Sequence, residues 1–164
     1  MAFDTFLKIA GVDGESTADG HAGEIEIYSF SWGASNPVTV GSGSTGMAGG
    51  KVSVSSFNVM KKTEKSSASL FAACCKGKHY DSAIVTLRKA TGDGGQQQFL
   101  VYTFGDVMVE SIQWSGSTGG DDSPTESLSL AFGNCKIEYF TQDDTGAMAA
   151  AGAASWDSQT VKGA

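Results

Sequence analysis

The chain has 164 residues, and its 11 basic and 18 acidic side chains give a formal net charge of -7. A chain of this length fits one domain with a sizeable core, and its acidity argues against nucleic acid as a partner, because phosphate binding needs a concentrated basic patch. No stretch has the pattern of a signal peptide or the length of a membrane span, so we expect no membrane insertion.

The first predicted strands cover residues 3–9 and 24–33, and the second of them changes its inward face halfway. Strand side chains alternate between two faces. When the apolar residues change from odd to even positions, the strand therefore needs an extra residue or a sharp coil at that point. The residues that show this change are Ile25, Ile27, Tyr28, Phe30 and Trp32.

The same change recurs at three later places, across Ser55-Ser56, Glu110-Ser111 and Gly133-Asn134. Four long strands that bend midway predict a mainly β fold, a curled barrel of antiparallel strands. The alternative is that two short strands meet at each of these places.

Residues 34–50 are rich in Gly, Ser and Thr and are predicted to form a long loop, followed by a strand over residues 51–61. Loops of this length inside a compact domain tend to be functional or disordered. One flanking helix is predicted from Ser67 as its N-cap to Lys76, with Gly77 as its stop. Leu70, Phe71 and Cys74 are expected to share one of its faces.

Four further strands are predicted over residues 83–90, 97–105, 107–115 and 125–140. The tail of residues 146–164 is rich in Ala and Gly, and Trp156 within it suggests a docked extended segment. No domain boundary is visible, so we expect a single domain over residues 1–164.

The motifs that could carry catalysis are weak, and we predict no catalytic, cofactor-binding or metal-binding residue. Residues 41–46 match a dinucleotide fingerprint, but that motif needs a following helix, whereas a strand is predicted here. His79 with Asp81 and Ser82 is interpreted as an exposed turn rather than a triad. His21 lacks the three or four ligands of a metal site.

The three cysteines do not form a disulfide framework or a Cys-x-x-Cys site. Cys74, Cys75 and Cys135 are interpreted as small hydrophobic residues of a protein in a reducing cytoplasm. Because Cys74 and Cys75 are neighbours on the predicted helix, one of them is expected to pack inward and the other to lie at a surface.

A series of short motifs resembles one known family in sequence order. They are Phe6-Leu7-Lys8-Ile9, Gly14-Glu15-Ser16, His21, Glu24-Ile25-Glu26-Ile27, Ser31-Trp32-Gly33, Gly50-Lys51-Val52, Ala73-Cys74, Gly77-Lys78-His79, Leu87-Arg88-Lys89-Ala90, Asp106-Val107, Glu126 and Trp156-Asp157. Through them the chain is identified as a member of the haemolysin-coregulated protein (Hcp) family, the tube subunit of the bacterial type VI secretion system.

This resemblance implies a β-barrel that assembles into homohexameric rings, which stack into a hollow tube that carries and chaperones small effectors. It also implies a contractile sheath and a tip spike protein as partners. The protein would be cytoplasmic before firing and then be secreted without a signal peptide. No enzyme activity is implied.

Two sets of residues are predicted to contact other molecules. The first is a contact between subunits in the Gly-rich loop, formed by Ser42, Gly43, Ser44, Thr45, Gly46, Met47, Ala48 and Gly49. The second is a surface that faces the lumen, formed by Ser111, Gln113 and Ser115, on a strand whose Val109, Ile112 and Trp114 are expected to face the core.

Two alternative functions stay open at this point. The chain could be a monomeric β-barrel or sandwich that binds carbohydrate, with Trp32, Trp114 and Trp156 as stacking platforms. An enzyme that uses the glycine loop or His79 is the remaining alternative.

Overall fold

The computed structural model describes residues 3–41, 46–90, 95–120 and 122–164. Within these ranges the chain forms thirteen strands and one helix, α1 (Ser67–Lys76), which lies between the seventh and eighth strands. The strands are β1 Asp4–Ile9, β2 Ile25–Ser31, β3 Ala34–Ser35, β4 Val38–Val40, β5 Met47–Gly49, β6 Ser53–Val54, β7 Phe57–Lys62, β8 His79–Ala90, β9 Gln96–Ser115, β10 Thr125–Ala131, β11 Asn134–Gln142, β12 Met148–Asp157 and β13 Lys162–Gly163.

Six of the strands close into an antiparallel barrel in the order β10-β7-β2-β1-β8-β9, because β9 pairs back onto β10. The strands β11, β12 and β13 extend the sheet from the N-terminal half of β9. The predicted mainly β fold, a curled barrel of bent antiparallel strands with one flanking helix, is therefore confirmed.

The core fills the barrel with the inward side chains of these strands and is completed by Leu70 of α1. The largest of the fully buried apolar side chains are Phe6, Phe57, Phe104, Leu7, Ile9, Ile25, Leu70, Leu128, Leu130 and Val59. Phe6 is the exception among them, since it lies on the outer side of β1 and stacks on His21 at a ring distance of 4.5 Å. The segment between β1 and β2 thus covers one patch of the barrel wall.

The predicted bend in β2 is confirmed as a bulge. Ile27 lies opposite Lys61 and Ser29 lies opposite Met60, which leaves Tyr28 as the extra residue. Tyr28 therefore points outward and is 63 % exposed, contrary to the prediction that it joins Phe30 on the inner face.

The predicted bend at Glu110-Ser111 is also a bulge. Ser111 lies opposite Ser129 and Val109 opposite Leu130, so Glu110 is the extra residue. The prediction of two separate strands over residues 97–105 and 107–115 is wrong, because β9 continues through Asp106, whose positive φ of 53° changes the inward face without ending the strand.

At the other two places the alternative of two short strands is correct. The strands β6 and β7 belong to different sheets, and β10 and β11 are separated at Phe132 and Gly133. The backbone N–H of Gly133 donates to the carbonyl of Gly105, which fixes the break beside the bend in β9.

The segment predicted as a loop over residues 34–50 instead contains paired strands. β3 pairs with β6, and β4 pairs with β5. The alternation of Val38, Thr39 and Val40 is a strand pattern that the surrounding glycines obscure. We call β3, β4, β5 and β6, with the described residues between them, the arm.

The helix α1 covers Ser67–Lys76, and Gly77 ends it with a left-handed φ of 64° as predicted. The predicted N-cap is wrong, because Ser66 holds that position and Ser67 is the first helical residue. The expectation that Phe71 shares the buried face is wrong: Leu70 and Ala73 are buried, whereas Phe71 is 50 % exposed because successive helical residues are 100° apart. In the tail, β12 pairs along β11, and Trp156 lies opposite Cys135 in the register.

Candidate functional site

The predicted lumen residues Ser111, Gln113 and Ser115 lie together on the outward face of β9, and all three are exposed. The register places Ser129, Ser127 and Thr125 of β10 beside them. Residues paired across antiparallel strands point to the same face, so the two strands form one polar surface.

This surface continues over two more strands of the barrel wall. One row runs through Ser111, Ser129, Asn58 and Ser31, and the next runs through Gln113, Ser127, Met60 and Ser29. A third row contains Ser115, Thr125 and Lys62. We call these three rows the polar face. The sequence predicted only its β9 residues, because the order of strands in a sheet cannot be deduced from a local sequence pattern.

Glu110 supplies a carboxylate at the bulge beside the first row. Its Oε2 accepts a hydrogen bond of 2.9 Å from the hydroxyl of Ser129. Hydrogen bonds from Ser56 and Ser129 hold the pKa of Glu110 below its ordinary value, because they stabilise the ionised form.

The polar face has the chemistry of a weak and versatile binding surface. A shallow depression of about 240 Å³ lies around Met60 and is lined by Ser29, Ser31, Asn58 and Ser127. Small hydroxyl and amide groups can donate and accept hydrogen bonds without demanding one partner geometry. The exposed methionine adds an adaptable apolar contact.

The arm carries an apolar face of its own. Val40 pairs with Met47 across β4 and β5, and Val38 lies two residues from Val40, so these three side chains share one face. Their exposed fractions are 56 % for Val38, 72 % for Val40 and 76 % for Met47. Within the described chain, β4 and β5 pair with each other in a two-stranded sheet that is separate from the barrel sheet.

The structure describes only some of the residues that are predicted to contact another subunit. Gly46, Met47 and Gly49 are exposed on the arm, and Ala48 lies opposite Thr39 in the register. Ser42, Gly43, Ser44 and Thr45 lie outside the described residues.

A buried ion pair closes one end of the barrel and was missed from the sequence. Lys61 and Glu126 are register partners on β7 and β10, both fully buried, with Nζ and Oε2 2.6 Å apart. The Lys61 ammonium also donates to the Lys62 carbonyl and the Ser67 hydroxyl, at 3.0 and 3.3 Å. Lys61 alternates with Phe57 and Val59 on the inward face of β7, and this alternation was the signal available in the sequence.

Trp114 lies over this ion pair rather than in the core, contrary to the prediction. Its indole N–H donates to Oε1 of Glu126 at 2.6 Å, and its ring packs 5.7 Å from that of Phe71 on α1. Trp32, by contrast, packs edge-on against Tyr102 and Phe104 at 5.2 and 5.0 Å. Trp32 and Trp156 line one hollow that does not include Trp114, so the three tryptophans do not form a single stacking platform.

The two histidines have structural surroundings. His21 Nδ1 lies 2.8 Å from Oε2 of Glu24, and its ring stacks on Phe6. His79 is the first residue of β8, so the predicted turn there is wrong. Across the described residues, no group of three His, Cys, Asp or Glu side chains is arranged to hold a metal ion.

The glycine motif at residues 41–46 lies largely outside the described residues, but β4 precedes it and β5 follows it. A strand on both sides cannot present the helix N-terminus that a dinucleotide site requires.

The cysteines differ in burial more than the sequence suggested. Cys135 is buried, and burial raises the pKa of its thiol. Cys74 is half-buried against the core and Cys75 is exposed, so the pair divides between inside and surface as expected. In the part of the chain that the structure describes, no helix has the length and apolar character needed to cross a membrane.

Comparisons with known proteins agree with one another. The family described as "Type VI secretion system effector, Hcp" matches residues 6–139. The chain is 41 % identical to protein hcp1 of Pseudomonas aeruginosa over 147 residues, which cover 90 % of this chain and 89 % of that protein.

The fold is similarly close to solved structures. A type six secretion system protein superposes with a TM-score of 0.93 at 36 % identity, over 99 % of this chain and all of that one. Hcp1 from Salmonella typhimurium superposes with a TM-score of 0.79 at 35 % identity, over the whole of both chains. This family is structural rather than enzymatic, which confirms the prediction that the chain is not an enzyme. The chain belongs to the Hcp family of the type VI secretion system and is a subunit of its tube.

Proposed function

We propose that the chain forms homohexameric rings that stack into a hollow tube and carry small effectors in the lumen. A contractile sheath and a tip spike protein of the same system are its further partners. The protein resides in the cytoplasm before firing and is then secreted without a signal peptide, as one domain over residues 1–164.

The observation that carries this proposal is the arm. Its apolar face of Val38, Val40 and Met47 stands free of the barrel, and leaving apolar area in water costs about 25 cal/mol per Å². A ring needs heterologous contacts, in which one patch meets a different patch on the neighbour. In this proposal, the arm, together with the predicted contact residues 42–49, supplies the first of these patches.

The polar face is the proposed lumen wall. Ser111, Gln113 and Ser115 belong to a four-strand surface of mostly small polar side chains, interrupted by the exposed Met60 and by Lys62 in the third row. Such a wall can hold varied cargo weakly and release it, because it offers many hydrogen-bonding groups and no deep pocket.

The mass of the purified protein in solution, with electron microscopy of the same sample, tests the assembly. We expect a species of six copies that appears as rings and as stacks of rings. A monomer at all accessible concentrations would overturn the proposal.

A pair of variants tests whether the apolar face of the arm forms the contact between subunits. Val40→Asp places a charge on the apolar face of β4, whereas Thr39→Asp places the same charge on its opposite face. We expect Val40→Asp to weaken rings or stacks and Thr39→Asp to preserve them, with unchanged circular dichroism in both. Equal assembly of the two variants would remove the arm's apolar face from the contact.

A further inference from the structure

A second apolar surface lies on the body of the protein, where the extended sheet leaves the barrel. It is a hollow of about 420 Å³ between the root of the arm and the inner face of β9, β11 and β12. The residues that line it are Trp32, Gly33, Ala34, Val52, Val54, Tyr102, Cys135, Ile137, Ala154, Ser155 and Trp156. Every one of these is uncharged.

The hollow opens onto side chains that no other layer covers. Ile137 is 37 % exposed, and Tyr139, which follows it on the same face of β11, is 44 % exposed. Lys136, between Cys135 and Ile137, points to the opposite face of the strand. The inner face of the extension is therefore apolar and open, whereas its outer face carries charge.

The chain's own arm does not fill this hollow. Ala34, Val52 and Val54, at the root of the arm, form one of its walls. From that root, β4 and β5 continue as a two-stranded sheet that is separate from the barrel sheet and leaves Val38, Val40 and Met47 exposed. The same chain thus presents a free apolar hairpin and an open apolar hollow that do not meet within one copy.

We propose that the hollow receives the apolar face of the arm from a neighbouring copy of this chain. Val38, Val40 and Met47 then bury against Ile137 and Tyr139, and the uncharged lining imposes no desolvation cost of a buried charge. Since arm and hollow are different patches, the contact is heterologous and passes from copy to copy, which is the geometry a ring or tube requires. This inference rests on the proposed self-assembly and names its receiving surface.

The test is cross-linking between cysteines placed on the two surfaces. Cys74 and Cys75 are first replaced by Ser. Cys135, which lines the hollow and is 8 % exposed, is retained, and the Val40→Cys variant alone measures any product that Cys135 forms. One variant then carries Val40→Cys with Ile137→Cys, and the matched control carries Val40→Cys with Lys136→Cys. Both are treated with a flexible bismaleimide and resolved on a denaturing gel.

We expect covalent dimers and larger species from the Ile137 pair and about tenfold less from the Lys136 pair. Tyr139→Cys serves as a second reporter, so that a defect specific to one position does not decide the outcome. Equal products from the Ile137 and Lys136 pairs, or none from Ile137 and Tyr139 while the rings remain intact, would overturn the hollow as the receiving surface.

A charge variant separates this inference from the proposed function. Ile137→Asp should weaken assembly by about tenfold or more in concentration, while Lys136→Asp, on the other face of β11, should not. If the unsubstituted protein assembles and Ile137→Asp assembles equally well, the hollow is excluded and the tube proposal stands. If the unsubstituted protein is a monomer, the tube proposal itself fails.

Discussion

Lys61 and Glu126 lie opposite each other inside one end of the barrel, each without any exposed side-chain surface. Moving two charges out of water costs more than their attraction commonly returns, so such a pair contributes more to specificity than to net stability. Here the ammonium also bonds to Ser67 at the start of α1, and the carboxylate accepts the indole N–H of Trp114. The pair thereby ties β7, β10, β9 and α1 together at one point.

Removal of one partner should leave the other as an uncompensated buried charge. We expect Glu126→Gln or Lys61→Met to lower the free energy of unfolding by about 3–5 kcal/mol. The double variant Lys61→Met with Glu126→Leu should recover most of that loss, since it removes both charges. Denaturant unfolding of the three variants is the measurement, and a double variant as unstable as the singles would contradict this account.

Glu110 makes a pH-dependent contribution whose sign follows from its lowered pKa. A carboxyl group with a depressed pKa in the folded state stabilises the fold above its unfolded pKa, and that contribution is lost as the pH falls through the folded pKa. Ser129→Ala removes one of its donors, so we expect the pKa of Glu110 to rise toward its ordinary value. An NMR titration of the Glu110 carboxyl checks this; an identical titration in both proteins would show that the Ser129 bond has no such effect.

At the scale of single elements, local pattern predicted the helix well and the arm poorly. The C-terminal end of α1 follows from Gly77, which acts within one turn, whereas the side chain of the N-cap residue Ser66 makes no capping hydrogen bond. The bends in β2 and β9 were visible because a bulge changes the parity of apolar residues within the same strand. The arm was missed because its short strands are stabilised by pairing with each other, amid glycines that favour a loop.

The end of α1 offers a prediction at this scale. Gly77 has a left-handed φ of 64°, and an added Cβ would meet only Met108 Cε at 3.7 Å, an ordinary contact distance. Gly77→Ala should therefore cost about 1 kcal/mol through backbone conformation alone. The control Gly152→Ala, in β12 with open space and no positive φ, should be neutral or slightly stabilising. Thermal unfolding distinguishes them, and equal melting temperatures would contradict the argument.

At the scale of the whole molecule, the bent strands predicted a curled sheet, but the order of the strands in that sheet could not be predicted from the sequence. The alternation of side chains along a strand shows that Ser111 and Gln113 share a face. Only the pairing register between strands shows that Ser31 and Asn58 extend this face. The hollow was equally hidden, because β11 pairs with β9 across a long separation in sequence. Long-range pairing is decided by the closure of the barrel and not by any local pattern.

The polar face permits a last prediction about cargo, with a control on the same strand. Gln113→Arg and Ser115→Arg place a long cation on the polar face near the C-terminal end of β9, while Gln98→Arg makes a matched change at an exposed position near its N-terminal end. If the polar face lines the lumen, the first two should reduce co-purification of effectors from rings of normal size, because a bulky charge replaces small neutral hydrogen-bonding groups. Gln98→Arg should leave it unchanged. Normal retention of several effectors by the Gln113 and Ser115 variants would place the cargo surface elsewhere on the subunit.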